Sequence, residues 1–60
     1  MKWSELRDIA KKHGYEFFRH GKKHDLYIHK DNGKELPIER YWNQEIRKGL
    51  LSKLKKQIGF

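Results

Sequence analysis

No cysteine occurs among the 60 residues, so no disulfide or thiolate metal site reinforces the chain, a composition that fits a reducing cytosol. There is also no long apolar run. Nothing hydrophobic follows Met1-Lys2-Trp3-Ser4-Glu5, so neither a signal peptide nor a membrane span is expected, and the expected location is cytoplasmic. Internal repeats, linkers and low-complexity stretches are absent too, and proline appears once, at Pro37. Acidic residues are scarce against basic ones, 8 to 15, leaving a net charge of +7. At this size such a charge steers polyanions. A basic membrane-binding role fits less well, because the lysines and arginines are spread over several elements and form no single amphipathic basic helix. One domain is expected over residues 1–60. A chain this short buries only about 60% of its unfolded surface, so little remains to build a deep cleft. An enzyme of this size should work on an exposed polymer lying across its surface.

What is present reads as five elements. Trp3, Leu6, Ile9, Ala10 and His13 recur at helical spacing, with Ser4 as expected cap, Lys11 and Lys12 in the last turn, and Gly14 as the stop. Strands are expected over Tyr15–Arg19 and His24–His29. On the second, His24, Leu26 and Ile28 share one face and Asp25, Tyr27 and His29 the other. Asp31-Asn32-Gly33 signals a tight hairpin turn to a third strand over Lys34–Ile38, which Pro37 assigns to a sheet edge. After a connection containing Tyr41, Trp42 and Asn43, a second helix is expected over Arg47–Gln57, with Leu50, Leu51, Leu54 and Ile58 on its apolar side. The order predicts an α+β fold, α-β-β-β-α, with a three-stranded antiparallel sheet and both helices on one sheet face. Leu6, Ile9, Leu26, Ile28, Leu36, Ile38, Leu50 and Leu54 are the expected core.

The chemistry concentrates in Arg19-His20-Gly21-Lys22-Lys23-His24-Asp25-Leu26-Tyr27. An imidazole that moves a proton near neutral pH, set beside lysines that attract phosphate, is what holding or cutting a phosphodiester requires. A solvated basic hairpin tip is the plainer reading of the same residues. His13, His20 and His29 show no carboxylate or cysteine at metal-ligand spacing, so no metal or other cofactor is expected. Tyr15 and Tyr27 could stack bases, with packing the better role for Tyr15.

Element order and residues together resemble the HicA family of bacterial and archaeal toxins, small RNA-cleaving proteins with a fold like the double-stranded-RNA-binding domain. The resemblance runs through Lys12-His13-Gly14-Tyr15-Glu16-Phe17 and through the glycine-then-histidine loop Gly21-Lys22-Lys23-His24-Asp25-Leu26-Tyr27. It continues over Glu45-Ile46-Arg47-Lys48-Gly49-Leu50 and on to Gly59. Two departures stand out. Many members have Gly-Ser directly before the histidine where this chain has Lys22-Lys23, with the glycine one place earlier at Gly21. Many also have Pro-Arg-His where this chain has Glu39-Arg40-Tyr41.

The resemblance implies a metal-independent endoribonuclease, an mRNA interferase of a type II toxin–antitoxin system, inhibited by a HicB-type antitoxin. His24 maps onto the family's catalytic histidine and would take the 2′-hydroxyl proton or orient the attacking group. Lys22, Lys23, Arg19, Lys53 and Lys56 are the expected RNA contacts, and Gly21 serves loop geometry. The alternative is a non-catalytic module that binds duplex RNA or DNA, which the same charge and fold would support.

Overall fold

The computed structural model describes residues 1–60 and has the expected order: α1 (Trp3–Lys12), β1 (Tyr15–His20), β2 (His24–His29), β3 (Glu35–Glu39) and α2 (Lys48–Ile58). The three strands form one antiparallel sheet in the order β1-β2-β3. Pro37 therefore does lie in an edge strand, where its missing N–H breaks no ladder.

Ser4 is not the cap of α1. The helix begins one residue before it, and the carboxylate of Glu5 accepts the Lys2 backbone N–H at 2.9 Å. The first helical N–H groups find carbonyls on the 41–46 segment instead. Trp3 donates to Gln44 at 3.1 Å and Ser4 to Trp42 at 3.2 Å. A short bridge between Lys2 and Glu45, and a bond from Ile46 N–H to the Met1 carbonyl at 2.9 Å, fasten the same segment down. With its orphan donors satisfied in this way, the helix needs no serine cap.

The β2–β3 connection is longer than a two-residue turn. His29 N–H donates to Lys34 and Gly33 N–H donates back to His29, both at 2.9 Å, around Lys30–Gly33. Only Gly33 takes a positive φ, +71°, while Asn32 stays at negative φ and accepts the Lys34 N–H at 2.9 Å through its side chain.

The largest departure is the side of the sheet that faces the core. Trp3, Leu6 and Ala10 of α1, with Leu54 and Ile58 of α2, pack with Tyr15, Tyr27, Leu36 and Ile38 in one cluster, so apolar residues of both helices meet one sheet face. The ladder pairs Tyr27 with Leu36 and Asp25 with Ile38. The inward face of β2 is therefore that of Asp25 and Tyr27, and His24, Leu26 and Ile28 point the other way. Leu26 is buried but stands outside the core cluster, and Ile28 is half-buried. Leu26-Tyr27-Ile28 is apolar throughout, so alternation alone does not choose its face. Leu36 and Ile38, both fully buried, choose it through pairing.

Leu50, expected inside, is 39% exposed. The inward stripe of α2 is Leu51, Leu54 and Ile58, one step round the helix. Ile9 is half-buried and packs against the cluster. The side-chain amide of Gln57 donates to the Glu35 carbonyl at 2.8 Å, which ties α2 to β3.

Candidate nucleic-acid interface

The β1–β2 loop sets the site. Gly21 N–H donates to the His24 carbonyl at 2.7 Å and closes the hairpin around Lys22 and Lys23. A methyl group on Gly21 would stand 2.9 Å from that carbonyl oxygen and 3.3 Å from Nε2 of the His24 ring. The close approach leaves room for glycine alone, and the imidazole rests against the loop backbone.

His24 is the first residue of β2 and pairs across the ladder with Glu39. It is half-buried; ladder parity puts it with Leu26 on the side of the strand away from Asp25 and Tyr27, and at the strand's first residue it still borders the packed layer beside Trp3 and Leu54. Its ring makes no hydrogen bond within the chain, so both nitrogens are available to a ligand. His24 lines a groove of about 400 Å³ with Pro37 and Glu39 of β3, Leu50, Lys53, Leu54 and Gln57 of α2, and Trp3. Lys53 thus joins His24 in one depression. Leu50, too exposed for the core, supplies part of its apolar wall. Arg19 pairs with Leu26 and so shares the outer face with His24. Lys22 and Lys23 are exposed at the loop tip, and Lys56 is exposed on α2 outside the groove.

On the other side of the same loop stands a cluster that strand-by-strand reading misses. Asp25 is only 6% exposed, and its Oδ1 lies 2.7 Å from Nδ1 of His20 and 3.5 Å from Nη1 of Arg40. Nη2 of Arg40 donates to the carbonyls of Gly21 at 3.2 Å and Lys22 at 3.1 Å, bracing the loop from beneath. His20 therefore does have a carboxylate partner, across the hairpin rather than along the chain. Ladder arithmetic would have found it: once Gly21 and His24 close the loop, His20 and Asp25 are the next facing pair.

Tyr27 is buried beneath α1, which removes it as a base-stacking residue. Burial raises its phenol pKa first, and the Asp25 carboxylate adds to the rise. Tyr15 is also buried, its ring edge-on to His29 at 5.0 Å between centroids. His29 serves structure. Asp31 N–H donates to its Nδ1 at 3.1 Å, so Nε2 carries the proton that reaches the His13 carbonyl at 2.9 Å.

A protein-family model described as the HicA toxin of bacterial toxin–antitoxin matches residues 3–60. No curated protein and no solved structure matches the chain. The match covers nearly the whole chain, all five elements of the fold included. The chain belongs to the HicA family: it is a toxin of a toxin–antitoxin system, and an antitoxin is its implied partner. No helix is long and apolar enough to cross a membrane.

Proposed function

We propose that this HicA-family chain is a cytoplasmic endoribonuclease that stops translation by cutting mRNA, and that a HicB-type antitoxin silences it by covering the β1–β2 loop and the lysines around His24. The observation that carries the reading is His24 itself. It is a half-buried imidazole with unengaged nitrogens, held against Gly21 and sharing a groove with Lys53. A ring held in place yet open to solvent suits proton transfer. Lys22 and Lys23 at the loop tip, Lys53 in the groove and Arg19 on the same face supply positive charge around it. Lys56 extends the basic surface along α2.

RNA carries its own nucleophile. His24 takes the proton from a 2′-hydroxyl as that oxygen attacks the adjacent phosphorus, and the lysines offset the charge that builds on the phosphoryl oxygens. No step of this chemistry calls for a metal or another cofactor.

The test is cleavage of a defined RNA by purified wild type and by His24→Ala, with fold and RNA affinity measured in parallel. His24→Ala should remain folded and bind RNA, because affinity comes mainly from the cationic side chains. Its cleavage should fall by about 10²–10⁴-fold, the usual contribution of an acid–base group. Wild-type cleavage should persist in a chelator. A folded His24→Ala protein that cuts at the wild-type rate would remove the residue from catalysis. A wild type that binds RNA without ever cutting it would leave a non-catalytic binding module.

A further inference from the structure

We infer that His20, oriented by Asp25, is a second proton-transfer group that acts as the donor to the leaving oxygen, an inference that rests on the ribonuclease reading of His24. Three observations carry it. First, the Nδ1 of His20 is 2.7 Å from a carboxylate that is almost wholly buried, while the imidazole side chain is itself 68% exposed. A carboxylate that accepts from Nδ1–H fixes the tautomer and the ring orientation, and turns Nε2 outward. Such a charge-assisted bond is strongest when the ring is protonated, which is the form that donates.

Second, the surroundings hold the pair in place. Nη1 of Arg40 lies 3.5 Å from the same carboxylate oxygen and 3.4 Å from Nδ1 of His20 itself, so the carboxylate stands between two cations when the ring is protonated, and Nη2 fastens the loop carbonyls of Gly21 and Lys22. The Phe17 ring is 4.9 Å from the His20 ring on the same strand. From α1, Arg7 and Asp8 act on the Tyr27 phenol, two residues beyond Asp25.

Third, the placement suits the reaction. His20 shares a face with its partner Asp25, whereas His24 precedes Asp25 on β2 and so lies on the other face. The two imidazoles flank the loop that carries Lys22 and Lys23. In phosphoryl transfer the attacking and leaving oxygens are roughly in line through phosphorus. The base and the acid therefore belong on opposite sides of the phosphate, and a backbone phosphate held at this loop would have one histidine on each.

The step balances. The 2′-O–P bond forms while His24 takes the 2′-hydroxyl proton, and the P–O5′ bond breaks while the His20 imidazolium gives its proton to O5′. The products are a 2′,3′-cyclic phosphate and a 5′-hydroxyl, and exchange with water resets both rings.

The experiment compares wild type, His20→Ala, His20→Gln and His24→Ala on an RNA with a single cleavage site, made once with normal oxygen and once with sulfur at the bridging 5′ position. A thiolate leaves without needing a proton. On normal RNA both His20 variants should lose about 10²–10⁴-fold in cleavage while staying folded and binding RNA. On the sulfur substrate their deficit should nearly vanish, whereas that of His24→Ala should persist. Asp25→Asn, which keeps the shape but not the charge, should show a smaller loss repaired in the same way. Folded His20 variants that cut normal RNA at the wild-type rate overturn this inference and leave His24 untouched. A deficit that the sulfur substrate does not repair overturns the donor role. A wild type that cuts neither substrate takes down the ribonuclease reading, and this inference with it.

Discussion

At Gly21 a single methyl group decides where the His24 ring can sit. The added Cβ would meet both a backbone oxygen and the ring, and the backbone oxygen is the one that cannot swing away. Gly21→Ala should therefore displace His24, and a misplacement of about 1 Å can cost 10²-fold in rate. Cleavage should drop far more than RNA affinity, and a variant that cuts as wild type does would show that the ring is free of the loop. Core residues are tested by contrast. Leu36→Ala, at a fully buried position, should cost about 2–5 kcal/mol, while Leu50→Ala, on a residue 39% exposed, should cost less than about 1 kcal/mol, both read by denaturant unfolding. Equal losses would mean that the groove wall belongs to the core. Residue types and spacing marked the Arg19–Tyr27 segment, and the family resemblance pointed within it to His24 and Gly21. Types and spacing were not enough to join His20 to Asp25, because that contact depends on hairpin register. They misplaced Tyr27 because a tyrosine in a strand has the same pattern whether its ring stacks on a base or packs beneath a helix.

Among the elements, strong local signals set type and order, and pairing set the faces. The α1 periodicity, the Asn-Gly turn and Pro37 led to the right helix, hairpin and edge strand. The inward side of β2 was not legible in Leu26-Tyr27-Ile28 alone, since a one-residue change of phase exchanges its two faces. Nor was the start of α1, because carbonyls some forty residues away take the place of a cap. The glycines outside the site make a prediction of their own. Gly33 sits at φ +71°, where a side chain is strained, so Gly33→Ala should destabilise by about 1–2 kcal/mol. Gly49 lies in the first turn of α2, with open space where a Cβ would stand. Gly49→Ala should stabilise by about 0.4–1 kcal/mol, by restricting the unfolded chain. Thermal unfolding of the two variants should move the midpoint in opposite directions, and shifts of the same sign would contradict the backbone geometry at one of the two sites.

For the whole molecule, the question is whether RNA answers to the net charge or to its placement. With a net charge of +7, any polyanion is attracted, and a binding measurement at one salt concentration cannot separate general attraction from a defined path. The fold offers a control. Lys22 and Lys23 lie at the end of the sheet where β2 begins, and Lys30 and Lys34 at the end where it finishes. Reversing either pair to glutamate changes the net charge by the same amount. If RNA crosses the His24 loop, the Lys22/Lys23 double variant should weaken binding and flatten its salt dependence, with a slope smaller by about 0.7 for each lost contact on single-stranded RNA. The Lys30/Lys34 variant should keep a slope close to wild type. Affinity for the antitoxin should follow the same ranking if the antitoxin covers the loop, with the loss most visible in the association rate at low salt. Equal slopes for the two double variants would mean that RNA responds to overall charge alone, and the path across the β1–β2 loop would have to be abandoned even if His24 proved catalytic.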